Sequence, residues 1–404
     1  MSTKIENKRD SKNDFIACTF NAQSLGPTQH LKRLAVYEFL NDWSVDFMMI
    51  QETWFTSKGC EAMIAELAPV GYSVKSFPRS SRGGGLAVIF RECFSKFLGF
   101  TTDFQFAHST FELCMFTLDI NNKIYNLFNI YRTCPSNKNK LTAKVFFDEF
   151  NEMLEFINTL KGSSVIMGDM NFHFDNVNHA HTNQVIELLD TFGFSQFVNV
   201  PTHKKGHTLD WVMARPDDDI VLSSEVSHEL SSDHSTVVCK LNIQCSKSSK
   251  SFRETRVISS IDKDELRQNL QSEISPLSCP SAEIFNSTLG SILDRHAPVT
   301  KKETKAAKSD PWYPLIKDDL KDAKQKRRQA ERRWLKSGLT VFEQIYDQAK
   351  YCVTSLVRKA RSMYLCSKIS ESENCGQLFW YHEQTFWQRE IYPSPHKHSF
   401  DAIT

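Results

Sequence analysis

The first 243 residues are a series of short apolar runs separated by polar stretches. The runs are Phe15–Phe20 (FIACTF), Val45–Ile50 (VDFMMI), Leu86–Phe90 (LAVIF), Leu113–Ile120 (LCMFTLDI), Ile124–Arg132 (IYNLFNIYR), Ser163–Asn171 (SSVIMGDMN), Thr208–Ala214 (TLDWVMA) and Ser235–Ile243 (STVVCKLNI). Their length and their β-branched and aromatic content predict strands, several of them buried on both faces. Between them, apolar residues recur at three- and four-residue spacing. His30–Asn41 places Leu31, Leu34, Ala35 and Phe39 on one side, and Leu141–Leu160 and Thr182–Phe192 read as two further helices. Strands alternating with helices predict an α/β fold, and their number suggests two layers of sheet.

The pattern changes near Gln244. Ser246, Ser248, Ser249, Ser251, Ser259 and Ser260 mark a linker, taken as residues 244–258. From Ser259 onward the spacing predicts helices and no strands. Asp310-Pro-Trp-Tyr-Pro314 reads as a stiff turn leading into a charged helix over Leu315–Lys336, and Thr340–Ile369 reads as another long helix. The expected organisation is a disordered stretch at 1–13, an α/β domain at 14–243, the linker, a basic helical region at 259–372 and an irregular tail at 373–404. The tail, with Trp380, Trp387, Pro393 and Pro395, shows no pattern, and there is no internal repeat.

The chain has 404 residues, room for two or three domains, and its 40% hydrophobic and 24% charged content supports a large core. No run approaches the roughly 20 apolar residues of a membrane span, and the polar start, Met1–Asp14, lacks a signal-peptide pattern. The 11 cysteines include no C-x-x-C pair, which predicts reduced, buried thiols in an intracellular protein, nuclear or cytoplasmic. A near-neutral total conceals a basic block: residues 301–370 hold 18 Lys/Arg against 8 Asp/Glu, whereas residues 1–300 hold 29 against 35. Lys324, Lys326, Arg327, Arg328, Arg332 and Arg333 lie in this block. They form either a solvated face with i,i+4 pairs, a salt-sensitive contact for DNA or RNA, or a nuclear localisation signal.

Candidate chemistry sits at or next to the ends of the apolar runs, in the order N-A-Q-S (Asn21), Q-E-T (Glu52), N-I-Y-R (Tyr131), G-D-M-N (Asp169, Asn171), T-L-D (Asp210) and S-S-D-H (Asp233, His234). Each alone has a bland reading: G-D-x-N is a common turn, an Asp at a strand edge is usually a cap, and a charge after a buried strand can be the exit to solvent. Together they supply carboxylates for a hard metal, a histidine, and amides that hold phosphate oxygens. His173, His179, His181, His203 and His207 lack zinc-ligand spacing and read as loop or surface histidines. Gly83, Gly84 and Gly85 are followed by a strand and not a helix, so they read as a hairpin or close backbone approach, not a nucleotide loop.

Over residues 14–243 this set resembles the endonuclease/exonuclease/phosphatase superfamily, which includes DNase I, apurinic endonucleases, inositol polyphosphate phosphatases and sphingomyelinases; no core motif position is missing. Pro201–Asp210 (PTHKKGHTLD), Gly168–Asp175 (GDMNFHFD) and Gly83–Val88 (GGGLAV) are similar to the endonuclease of non-LTR retrotransposons. Trp312–Ile369 resembles the linker after that endonuclease, and no Asp-Asp hairpin of a reverse transcriptase is found. The resemblance implies a DNase I-like four-layer α/β sandwich, two packed mixed sheets flanked by helices, followed by a helical segment.

It further implies a Mg²⁺-dependent endonuclease, with Mn²⁺ as a substitute, that nicks DNA to leave 3′-hydroxyl and 5′-phosphate ends. On that basis Glu52 binds the metal, with Asn21 and Asp233 in support. Asp169 orients or deprotonates the attacking water, and Asn171 holds the scissile phosphate. His234 stabilises developing charge, Asp210 fixes the His234 tautomer, and Tyr131 contacts phosphate or the leaving group. Arg132 adds charge, and Thr208 and Ser232 brace the site. Lys324, Arg327 and Arg328 of the basic helix are the expected general DNA contacts. The rival readings are a hydrolase of a small phosphate ester and a non-cutting nucleic-acid-binding fragment. Leu335, Phe342, Ile345 and Leu356 offer apolar surface for self-association.

Overall fold

The computed structural model describes residues 15–56, 59–79, 83–106, 108–133, 141–176, 179–244, 251–256, 261–274, 282–304 and 312–371. The expected disordered start and irregular tail, and most of the expected linker, lie outside the described residues. The chain divides into two compact units, residues 1–245 with 309–404, and residues 246–308.

In the first unit the order is β1 (Phe15–Asn21), α1 (His30–Trp43), β2 (Phe47–Gln51), α2 (Glu61–Leu67), β3 (Tyr72–Phe77), β4 (Leu86–Arg91), β5 (Leu98–Thr101), β6 (Phe111–Ile120), β7 (Lys123–Arg132), α3 (Ala143–Thr159), β8 (Ser163–Asp169), α4 (Ala180–Thr191), β9 (Ser195–Gln196), β10 (Asp210–Ala214), β11 (Val221–Ser227) and β12 (Thr236–Leu241). The strands form two six-stranded mixed sheets, β11-β12-β1-β2-β4-β3 and β5-β6-β7-β8-β10-β9. The period-2 alternation of each run divides its residues between two cores. Phe15 and Ala17 of β1 face Phe116, Leu127, Val165 and Val212 in the layer between the sheets. Ile16, Cys18 and Phe20 face the other way, against Val36, Phe39 and Leu40 of α1. The second sheet repeats this, with Ile166, Phe128 and Trp211 packing on Phe146, Phe150 and Met153 of α3. The result is the expected helix–sheet–sheet–helix sandwich. Each large side chain so buried contributes about 1.5–3 kcal/mol.

The eight apolar runs are the eight interior strands of the two sheets. The four edge strands, β3, β5, β9 and β11, carry no such run. They are half exposed, so their residues need not be apolar.

The second unit contains β13 (Ser251–Thr255), α5 (Lys263–Glu273), α6 (Ala282–His296) and β14 (Thr300–Thr304). β13 and β14 pair antiparallel, Ser251 opposite Thr304. The expectation of helices alone after Ser259 is corrected here, and β13 falls inside the stretch read as linker. The text of β14, TKKET, has no apolar alternation by which a strand is recognised.

The chain returns to the first unit with α7 (Lys317–Ser337) and α8 (Thr340–Glu371), which are joined through Gly338 in the left-handed conformation (φ 65°). Their shared face, including Leu320, Ala323, Val353 and Val357, packs on Leu34 and Tyr37 of α1, with Trp312 against Tyr37. Among the described residues, Cys18, Cys60, Cys114 and Cys239 are buried and free, but Cys93, Cys352 and Cys366 are exposed, so the expectation of buried thiols holds only in part. No described helix is long and apolar enough to cross a membrane.

Candidate active site

The sheets bring the motif residues to one edge of the sandwich. β1 and β2 run parallel with Asn21 beside Gln51, and β7 and β8 run parallel with Tyr131 beside Asp169. Asp210 opens β10 opposite Asp169. The loop before β12 brings Asp233 and His234 to the same edge, because β12 is antiparallel to β1. Two βαβ crossovers thus present their carboxyl ends together, where open α/β sheets place ligands.

Asn21 lies at the centre. Its amide nitrogen donates to Glu52 Oε1 (2.9 Å) and to Asp169 Oδ2 (2.8 Å), so one side chain bridges two carboxylates. Glu52 stands just past the end of β2 in the left-handed conformation (φ 52°), which costs a residue with a Cβ about 1–2 kcal/mol. Backbone bonds from Thr53 N to Gly85 O and from Trp54 N to Gly84 O hold this turn. Asp169 Oδ1 accepts the backbone N–H of Asn171, and the Asn171 side chain donates to Arg132 O (2.7 Å) and to Asp169 Oδ2 (3.2 Å). Asn171 also has positive φ, 50°, so both turn residues are strained where the site is built.

His234 accepts its orientation from Asp210, with Nδ1 2.8 Å from Asp210 Oδ2, and its Nε2 lies 3.9 Å from Asp169 Oδ2. All three residues are buried. Burial opposes a charge on His234, but Asp210 and Asp169 outweigh it and push the imidazole up to about 10. Burial, then Asp210, push the Asp169 carboxyl up to about 7. Burial opposes the Asp233 charge too, yet His234 and His203 hold its carboxyl below the usual range. Gln23 Nε2 donates to Asp233 Oδ2 (2.9 Å), and Ser232 Oγ donates to Asn21 O (2.9 Å).

This set fits a hard divalent cation. Four carboxylates converge around His234, Asp210 Oδ1 is buried without a hydrogen-bond partner, and Asp169 is charged only at a cost. Oxygen donors without thiolates are what Mg²⁺ or Mn²⁺ prefers.

Three of the expected site residues are buried in the fold. Arg132 is buried, stacks on Phe172 (3.8 Å) and donates to the backbone oxygens of Met170 and Asn171, bracing the turn from inside instead of facing substrate. Thr208 is buried and donates to Val200 O, while its N–H donates to Asp175. Tyr131 is almost enclosed in the layer between the sheets.

The basic helix is corrected most. Lys324 lies 2.6 Å from Glu38 and 2.7 Å from Asp42, and Arg327 lies 2.6 Å from Glu229, all within the fold. Arg328 is half-buried on the same helix. Only Lys326, Arg332 and Arg333 of the run are exposed. The run of charges gave no sign of these partners, which lie about 100 to 290 positions earlier in the chain.

The structure also adds residues. Thr202 is buried, and its Oγ1 accepts the N–H groups of Leu209 and Asp210, which fixes the start of β10. His203, expected to be a loop histidine, bridges His234 through the backbone, packs edge-on against its ring and stands 3.6 Å from Asp233. Exposed Trp54 donates to Glu52 Oε2. The signal for Thr202 and His203 in the sequence was their place in the P-T-H-K-K-G-H-T-L-D stretch, which named neither as a site residue.

Residues 18–234 match the model of the endonuclease/exonuclease/phosphatase family. No curated protein matches the chain. Among solved structures, the chain is similar to the AP endonuclease LMAP from Leishmania major, at 15% identity and TM-score 0.48, over 60% of this chain and 91% of that one. It is similar to the 3′ phosphatase NExo from Neisseria bound to a product DNA hairpin, at 17% identity and TM-score 0.43, over 57% and 100%. It is also similar to the human Nocturnin catalytic domain with bound sulfate, at 12% identity and TM-score 0.44, over 58% and 96%.

Proposed function

Because the chain belongs to the endonuclease/exonuclease/phosphatase family, we propose that it is a Mg²⁺-dependent endonuclease that nicks DNA, derived from a non-LTR retrotransposon. The observation that carries the reading is the Asn21 amide bridging Glu52 and Asp169, with the Asp210–His234 pair beside it. The preference for DNA rests on the P-T-H-K-K-G-H-T-L-D, G-D-M-N-F-H-F-D and G-G-G-L-A-V text.

Glu52, with Asn21 and Asp233 in support, would hold the metal, which when bound polarises the phosphate and neutralises charge. Asp169, with a carboxyl near neutral pKa, takes the proton of the attacking water. His234, held as a cation by Asp210, donates to a non-bridging phosphate oxygen as negative charge grows. Asn171 spends its amide protons on Arg132 O and Asp169 Oδ2, so it holds the turn and the Asp169 carboxylate in place instead of gripping the scissile phosphate, and no covalent intermediate is needed. Purified chain incubated with supercoiled plasmid should give open circles with Mg²⁺ or Mn²⁺ and none with EDTA. Failure of a folded chain to nick under these conditions, with turnover of a small phosphate ester, would move the substrate to the rival class.

A pH dependence follows from Asp169. Below about pH 4 its carboxyl is protonated in both the unfolded and folded chain. As pH rises from there to about 7 the unfolded chain loses the proton and the folded chain keeps it, so this group's contribution to stability falls across that window. A cation in the site relieves the charge. The Mg²⁺-induced rise in melting temperature is therefore larger near pH 8 than near pH 5, as read by scanning fluorimetry, and this pH dependence vanishes in Asp169→Asn. Equal rises at both pH values would show that Asp169 does not feel the metal.

A further inference from the structure

The loop between β11 and β12, residues 228–235, carries Asp233 and His234, and its first half is gripped by the C-terminal helices. Tyr346 of α8 donates its hydroxyl to His228 O (2.9 Å). Trp334 of α7 stacks on Tyr346 (5.5 Å, 17°) and meets the His228 ring edge-on (5.3 Å). Arg327 of α7 forms a buried ion pair with Glu229, 2.6 Å, whose other oxygen accepts the Trp43 indole N–H. The grip continues across the loop. His228 Nδ1 lies 2.7 Å from Ser235 Oγ, and Ser235, the neighbour of His234, donates its N–H to Thr202 O (2.6 Å).

We propose that Arg327 of α7 and Tyr346 of α8 are positioning residues, which hold the loop bearing Asp233 and His234 through Glu229 and His228. The inference rests on the hydrolase reading of the site. Physical reasons support it over a merely structural role. A buried ion pair adds little net stability compared with apolar packing, but it admits one geometry and penalises others. α7 is anchored to α1 by Lys324 and by the apolar face around Leu320; Arg327 adds a longer contact to Asp42 of α1 (3.5 Å), whereas its short pair is to Glu229 of the loop (2.6 Å). The contacts of His228 and Glu229 are with backbone and charge at the root of the catalytic loop, where a small displacement moves the His234 ring.

The test uses the full chain with Tyr346→Phe, which removes one hydroxyl, and Arg327→Met, which keeps the length and removes the charge. Leu320→Ala serves as a control that loosens the same helix away from the loop. Both positioning variants should keep the parent's far-UV circular dichroism, lower kcat for plasmid nicking on the order of 10- to 100-fold, as small misplacements do, and leave KM unchanged. Arg327→Lys should recover part of the loss. Leu320→Ala should lower the melting temperature and keep kcat within about twofold. The low-field imidazole proton shared by His234 and Asp210, identified by its loss in His234→Gln, should shift in both positioning variants and not in Leu320→Ala. Parent-like kcat in folded variants overturns the proposal, and so does a rise in KM at constant kcat, which would mark a substrate contact. If the parent neither nicks plasmid nor turns over a small phosphate ester, the hydrolase reading fails. The imidazole signal then decides alone: a shift supports the positioning role and an unmoved signal overturns it.

Discussion

Asp169→Asn lowers the rate of plasmid nicking on the order of 100- to 1000-fold while the parent's far-UV circular dichroism is kept. Asp169 is buried, and its two oxygens take the Asn21 amide and the Asn171 N–H. An asparagine fills the same volume but cannot accept a proton or carry charge to a metal. His234→Gln gives a fall of similar size because the cation paired with Asp210 disappears. The two sites act as a unit, so the double variant is little slower than either single one. Single-turnover nicking in Mg²⁺ with each folded variant checks this. Rates within threefold of the parent for either variant would remove that residue from the mechanism.

Gly168→Ala is expected to destabilise the chain by about 3–5 kcal/mol and to abolish nicking even in the fraction that folds. Gly168 is not a turn residue, as its place in G-D-M-N suggests. It lies within β8, between Ile130 of β7 and Trp211 of β10, at φ 152°. A Cβ there would sit 1.8 Å from Ile130 O. To admit it, β7 and β8 must separate at the point where Tyr131 and Asp169 pair, one residue from the Asp169 carboxylate. Urea denaturation measures the loss. A midpoint within about 0.5 M of the parent, or roughly 1 kcal/mol for a slope of 1–3 kcal/mol/M, would show that the strands yield cheaply.

The interior of the fold was legible because interior strands must be apolar on both faces. FIACTF, VDFMMI, LAVIF and their counterparts have no other way to be buried, and the eight runs map onto the eight inner strands. The edge strands β3, β5, β9 and β11 carry polar and exposed residues, so their pairing follows from neighbours and not from composition. The helices over His30–Trp43 and Ala143–Thr159 were legible for a related reason, since a 3.6-residue period survives wherever one face is covered.

The site residues were visible as residue types at the ends of runs, and their order along the chain pointed to phosphate-ester chemistry. Which of them touch was not visible. Asn21 and Asp169 are 148 positions apart and Asp210 and His234 are 24 apart, and only strand pairing converts those separations into hydrogen bonds. The same limit explains the basic helix. A lysine or arginine carries its charge in the sequence, but whether that charge meets DNA, water or a buried glutamate depends on what the fold places opposite. The sequence alone determined the layers, the inner strands and the inventory of acids, amides and histidine. The tertiary structure decided that Arg132 braces a turn, that Lys324 and Arg327 face inward, and that α7 and α8 reach the loop of His234. Local patterns record burial, whereas long-range partners are recorded nowhere but in the packed chain.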